Sequence, residues 1–199
     1  MNCVKVLIKV EAVIKKRYPI IERINGTGQI KNAWRKLMEL LDLREKRDHF
    51  EKELLMKYNG TLLTLRANFP GKDKRHEKAD FAVRVLYEEV RKHFQPVHEE
   101  RIKNSEGLIL FLLLKENSID VKRRIIEIEE YHPLGRLLDM DVRDETKIWS
   151  RRDFDLPGRK CYLCDDLAVH CVRAEKHRKE DVMNHFIKTV DEFVKKRTT

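Results

Sequence analysis

The chain predicts an α/β fold of the α+β kind, a mixed sheet flanked by helices, and three observations lead there. Helical periodicities alternate with short strand-like runs from residue 33 to the end. Leu108 to Leu114 is an unbroken apolar run of strand length, suited to the middle of a sheet. The last helix carries a stripe that needs a sheet or bundle to cover it.

The elements follow in order. Val4, Val6, Ile8, Val10, Ala12 and Ile14 alternate like a strand, though the same stretch tolerates a helix; Asn25-Gly26-Thr27-Gly28 then breaks the chain. Residues 1–33 read as a basic N-terminal extension, and 34–199 as a single domain that includes a Cys/His segment at 161–177. Residues 33–58 form one or two helices, with Trp34, Leu37, Met38 and Leu41 on one stripe and Phe50, Leu54 and Leu55 continuing it. Asn59-Gly60 ends that helix. Thr61 to Phe69 is a strand stopped by Pro70-Gly71, and 77–94 a helix with Phe81, Val85, Leu86 and Val90 inward. Ser118 is suited to cap a helix over 119–130, and Pro133 with Gly135 turns the chain into the next strand. Residues 178–196 close the chain as a helix with Val182, Met183, Phe186, Ile187, Val190, Phe193 and Val194 inward.

Charge and composition exclude some classes. The net charge is +9 over 199 residues, which at first sight points to nucleic acid. Residues 1–36 hold nine Lys/Arg against two Glu, leaving 34 basic and 32 acidic residues in the remainder. The body is nearly balanced, so a nucleic-acid partner is not expected. No apolar run is long enough to span a membrane, and Lys5, Lys9 and Glu11 interrupt the only stretch resembling a signal core. A cytoplasmic protein with reduced thiols is expected.

The chemistry concentrates around Leu138-Asp139-Met140-Asp141-Val142. Alternation puts Asp139 and Asp141 on one face of a strand and Leu138, Met140 and Val142 on the other. Two carboxylates side by side repel unless a cation sits between them, and hard oxygen ligands favour Mg²⁺, with Mn²⁺ as the alternative. A solvated acidic strand face is the plain alternative. Asp144 reads as a turn acid after the strand rather than a third ligand or base. Cys161-x₂-Cys164-x₆-Cys171-x₅-His177 sets four soft donors within seventeen residues, a pattern compatible with Zn²⁺, with structural thiols, or with a redox pair. His170 is an alternative fourth ligand, and Cys3 stands apart.

The string His132-Pro133-Leu134-Gly135-Arg136-x-x-Asp139-x-Asp141-Val142 is followed by Ser150-Arg151-Arg152, Leu156-Pro157 and the cysteine segment. Upstream stands Asn68-Phe69-Pro70-Gly71 with Lys74. In this order and spacing the chain, from about residue 35 to about 197, resembles the apo-citrate lyase phosphoribosyl-dephospho-CoA transferases, the holo-acyl-carrier-protein synthases of citrate lyase. The resemblance implies a nucleotidyl-transfer reaction. Phosphoribosyl-dephospho-CoA would pass from 2′-(5″-triphosphoribosyl)-3′-dephospho-CoA to a serine of the citrate lyase acyl carrier protein, releasing pyrophosphate. It implies Mg²⁺ at Asp139 and Asp141, with substrate phosphates met by Gly135, Arg136, Asn68, Gly71, Lys74 (or its neighbour Lys72), Arg151 and Arg152. Plain alternatives remain for these residues: a salt bridge for Arg136, a simple turn for Pro70-Gly71, solvated surface for the lysines and the arginine pair. The setting also invites comparison with the wider nucleotidyltransferase superfamily, from whose layout it departs because there a Gly-Ser precedes the carboxylates by a longer gap. Two other functions are compatible with the residues: the same transfer to the malonate decarboxylase carrier protein, and a non-enzymatic, zinc-containing module binding RNA or an acidic protein.

Overall fold

The computed structural model describes residues 28–70 and 74–198. The strand-like run 4–14, Cys3, Gly71 and Lys72 lie outside the described residues, as do the side chains of Trp34, Leu37 and Met38. Residues 42–199 form one compact unit, and residues 1–41 group separately.

The first described helix, α1 (Gly28–Tyr58), is single and unbroken. Asn59 ends it in a left-handed conformation (φ 48°), its N–H returning to Leu55 O at 2.9 Å. Strand β1 (Thr61–Ala67), helix α2 (Glu77–Arg91), strands β2 (His98–Asn104) and β3 (Gly107–Leu114), and helix α3 (Ser118–Tyr131) follow. A 3₁₀ turn (Gly135–Leu137) then leads into β4 (Leu138–Arg143) and the two-residue β5 (Ile148–Trp149). After a second 3₁₀ turn (Arg151–Phe154) come the short helix α4 (Ala168–Arg173) and the long closing helix α5 (Lys179–Thr198).

The helix-flanked sheet is the expected one, but its strand directions are not mixed. The order is β2-β3-β1-β4-β5, and every pairing among the described residues is antiparallel. The connections explain this: β2 and β3 form a tight hairpin, and α2 and α3 return the chain beside strands running the other way. β3 is buried on both faces, which its apolar run demands. On one face Leu63, Leu65, Leu110, Leu112, Leu138, Met140 and Val142 pack under α2, α3 and α5, with Phe186 fully buried. On the other, Leu62, Ile109, Phe111 and Leu113 pack under Leu54 and Leu55 of α1, and Phe50 meets Phe111 edge-on with ring centroids 5.2 Å apart. Each such side chain contributes about 1.5–3 kcal/mol by leaving water.

The cap of α3 differs from expectation. Asn117, not Ser118, is the N-cap; its side chain accepts from Ile119 N at 2.9 Å. Ser118 is the first helical residue, and its hydroxyl donates to Asp144 Oδ2 at 2.5 Å. Asn and Ser serve about equally well as caps, so the extended φ/ψ at 117 decides between neighbours.

Candidate active site

The register of the sheet builds the site. Asp139 of β4 stands opposite Arg66 of β1, and Asp141 opposite Thr64. Both carboxylates share the α1 face of the sheet, as alternation requires, while Leu138, Met140 and Val142 enter the core. The cation between the acids is already provided by the protein. Arg66 Nη2 lies 3.0 Å from Asp139 Oδ2 and 3.6 Å from Asp141 Oδ2. Burial works against the charge on Arg66, but the two carboxylates outweigh it and raise its pKa above the ordinary arginine value. Its Nε is buried without a hydrogen-bond partner. Arg66 escapes sequence reasoning because it looks like a lone polar residue in an apolar strand. The usable signal was its placement there, since an Arg in a central strand requires a carboxylate opposite.

A second cation engages Asp139. Arg159 Nη1 donates to Asp139 Oδ1 at 3.2 Å and to Leu138 O at 3.3 Å, and its Nη2 donates to Glu129 Oε1. Lys122 Nζ donates to Met140 O at 3.2 Å. β5 pairs only with Val142 and Arg143, so Arg159 and Lys122 cover the carbonyls of the β4 edge that it leaves open. Glu129 is 1% exposed and Lys122 4%. Burial raises the Glu129 carboxyl, against the pull of Arg159 and Lys122, and the same burial lowers the Lys122 ammonium. Neither residue was visible as functional, because each sits on the inward stripe of α3 where an aliphatic side chain is the rule.

The segments predicted to meet phosphate do gather here in part. Asn68 N donates to Leu137 O at 2.8 Å, tying the end of β1 to the 3₁₀ turn. Tyr162 bridges them: its hydroxyl donates to Arg136 O at 2.7 Å and lies 3.4 Å from Asn68 Nδ2. Burial, with the nearby Asp139 charge, pushes the Tyr162 phenol up to about 12. Arg136 donates through Nη2 to Lys160 O and keeps a buried, unpartnered Nε. Lys74 is anchored by its backbone to Ser105 O at 2.9 Å. Burial lowers its pKa, and the neighbouring Arg66 charge lowers it further while Asp139 opposes. A cavity of about 680 Å³ opens beside this group. Among the described residues Arg136, Arg159, Lys160, Lys176, Arg178 and Lys179 line it, with Glu175 and Glu180 as the acids. A smaller space of about 180 Å³ lies between α1 and the sheet, reaching Asp141 from Asp48, Glu51 and Arg143.

Other predicted residues sit elsewhere. Gly135 makes a close approach, but to α3: a Cβ there would lie 2.3 Å from Ile128 O and 2.7 Å from Glu129 O. Arg151 Nη2 donates to Glu130 at 2.5 Å and its Nε to Pro157 O at 2.9 Å, so it braces α3; it and the exposed Arg152 do not line the larger cavity. Asp144 behaves as the turn acid. Burial disfavours its charge, yet hydrogen bonds from Ser118, Thr146 and Trp149 hold it well below the usual carboxylate range. Cys161, Cys164, Cys171 and His177 converge, their ligand atoms all within 4.8 Å of one another. His170 is not among them; its Nδ1 lies 3.1 Å from Asp166.

Comparison with known proteins decides the family. The model of the apo-citrate lyase phosphoribosyl-dephospho-CoA transferase family matches residues 35–193. The chain belongs to this family. A relative of that name from Citrobacter koseri is 33% identical over 151 residues, which is 73% of this chain and 82% of the relative. Those from Escherichia coli O9:H4 and Shigella boydii serotype 18 are 48% identical over 66 residues, 33% of this chain and 36% of theirs. The family name describes a transferase acting on apo-citrate lyase. Every residue of the site just described, from Arg66 to Arg159, falls inside the matched span. Among the described residues no helix is long and apolar enough to cross a membrane.

Proposed function

We propose that this protein transfers phosphoribosyl-dephospho-CoA from 2′-(5″-triphosphoribosyl)-3′-dephospho-CoA to a serine of the citrate lyase acyl carrier protein, by Mg²⁺-assisted nucleotidyl transfer. The observation that carries the reading is the acid pair Asp139 and Asp141 bridged by Arg66 and joined through Arg159 to a basic-walled cavity. A triphosphate brings several negative charges, and a reaction centre for it needs cations around the phosphates and a carboxylate platform for metal.

The residues fit a divalent metal with one condition. Asp141 is 52% exposed and open to solvent, and Asp139 adjoins it on the same face, so hard oxygen donors converge. Arg66 already neutralises part of their charge. Mg²⁺ is therefore expected to bind weakly alone and firmly with the triphosphate, which adds its own oxygens. When bound, the ion would polarise the reacting phosphate and offset the charge that develops on pyrophosphate.

The chain's own side chains do the rest. Arg136 and Lys74 draw the phosphates to the ends of β1 and β4, and the Nε donors of Arg66 and Arg136, buried without a hydrogen-bond partner, are donors that an anion would satisfy. Arg159 holds Asp139 in place and is itself fixed by buried Glu129. The larger cavity has room for the dephospho-CoA moiety, and its lysines and arginines suit the acidic surface of a carrier protein. The carrier serine oxygen forms a bond to the innermost phosphorus as the bond to the pyrophosphate oxygen breaks; the hydroxyl proton leaves to water.

The test is the intact mass of purified apo carrier protein after incubation with this protein, the triphosphate donor and Mg²⁺. A gain of one phosphoribosyl-dephospho-CoA, lost with EDTA, is expected. No gain on a carrier that a known transferase modifies would overturn the reading.

A further inference from the structure

The cavity wall formed by residues 159–178 has almost no apolar interior. Cys171, at 5% exposure, is its most buried side chain and Tyr162 packs against the sheet core, while Leu163, Val169 and Val172 face solvent. Its regular structure is the six-residue α4 and one isolated bridge between Lys160 and Leu167. Ordering a backbone costs about 1–2 kcal/mol per residue, which a segment this poor in buried carbon does not recover from hydrophobic burial. Short segments of this kind are held by a cross-link or a metal.

At its centre lie the four soft donors. Cys164 Sγ is 3.4 Å from Cys171 Sγ and 3.3 Å from His177 Nε2. The Leu163 N–H points at Cys161 Sγ at 3.5 Å, stabilising negative charge on that sulfur, and Cys161 N closes the turn onto Asp166 O at 2.7 Å. A tetrahedral zinc with bonds of about 2.3 Å to sulfur and about 2.0 Å to nitrogen sets its donors roughly 3.5–3.8 Å apart. The two short edges, 3.4 and 3.3 Å, lie within a few tenths of an ångström of that spacing, and the remaining donor pairs lie within 4.8 Å. A disulfide would join two of the sulfurs and leave the other two donors without a role.

We propose that Cys161, Cys164, Cys171 and His177 bind one Zn²⁺ in a closed, structural site. Four protein donors complete the tetrahedron and leave no position for substrate or water. Binding displaces the three thiol protons. The ion fixes the turn that carries Lys160 and Tyr162, and the stretch that carries Lys176 and Arg178, so it shapes the basic rim without joining the chemistry. This does not depend on the transferase reading, because metal content is read on the protein alone.

The experiment purifies the full chain under reducing conditions with no added metal, then measures metals by mass spectrometry and free thiols by titration. About one zinc per chain is expected, falling at least about tenfold in Cys164→Ser. As a second readout that needs no variant, the stripped wild-type chain is titrated with Co²⁺. Thiolate-to-cobalt absorption and the visible bands of a tetrahedral ion are expected. A chain that holds no zinc and gives no such spectrum overturns the proposal. So does a mass lower by two hydrogens that locates a disulfide between Cys164 and Cys171 in the reduced preparation.

Discussion

The two walls of the larger cavity are built on opposite principles. The wall just past β1 and before β4, formed by Asn68, Pro70 and Arg136, takes its rigidity from the core: the neighbouring Ala67, Leu137, Leu138 and Met140 are essentially buried, and the same packed strands carry Arg66 and Asp139. The other wall, residues 159–178, has little of its own to bury beyond Cys171 and Tyr162, and a cluster of soft donors in place of a core. A charged constellation can be positioned either by packing its backbone or by tying its loops to an ion. The packed wall suits reacting groups that must not move, and the tied wall suits a rim that must fit a large ligand.

The difference can be broken first from the packed side. Gly135→Ala drives a Cβ into the α3 backbone, where no flexible side chain can yield. A loss of about 3 kcal/mol in denaturant unfolding is expected. A loss below about 0.5 kcal/mol would mean that the turn before β4 is not rigid.

The next perturbation separates charge from shape. Arg66→Met leaves Asp139 and Asp141 without the cation between them. Calorimetry should show Mg²⁺ binding without substrate tightened about tenfold, about 1.4 kcal/mol, while turnover falls. Unchanged Mg²⁺ affinity would place the metal away from the acid pair.

Asp144 tests the edge of the packed wall by pH. Its folded pKa lies below the ordinary 3.8, so its stabilisation is complete above that value and is lost as pH falls through the folded pKa. Asp144→Asn should cost about 1–3 kcal/mol at neutral pH, with the gap to wild type narrowing progressively as pH falls below the ordinary 3.8. A gap that stays constant would mean the carboxylate charge is not what is bonded.

Lys74 gives the smallest effect. Its pKa is depressed below the ordinary 10.5, mainly by burial, and only its charged form attracts phosphate. KM for the triphosphate donor should therefore rise on the alkaline side at a pH below 10.5, and Lys74→Arg should move that limb upward. Superimposable profiles would remove Lys74 from the phosphate site.

The sequence made the packed wall partly legible. Alternation in Leu138 to Val142 placed both acids on one face, and the run through Leu114 located the central strand. Arg66 was hidden because its meaning depends on register, and nothing local says that position 66 faces position 139. Arg159 and Glu129 were hidden for the same reason, meeting across thirty residues. Strand β2 went unseen because it reads His-Glu-Glu-Arg-Ile-Lys-Asn; as an edge strand it carries charges that discourage further pairing, and these erase the apolar signal. The soft-donor spacing was legible on the other wall, since four residues of rare type stand out without any knowledge of the fold. Its position against the larger cavity was not, because loops without apolar periodicity carry no signal of where they pack.

The proposed reaction places phosphoryl chemistry at Asp139, held between Arg66 and Arg159. The decisive measurement is the single-turnover rate of carrier modification in Asp139→Asn, at saturating donor and Mg²⁺, with folding checked by thermal melting. A fall of about a thousandfold or more, in a chain that still melts cooperatively, is the predicted result. A folded Asp139→Asn chain that modifies the carrier at a rate near wild type would put the chemistry elsewhere.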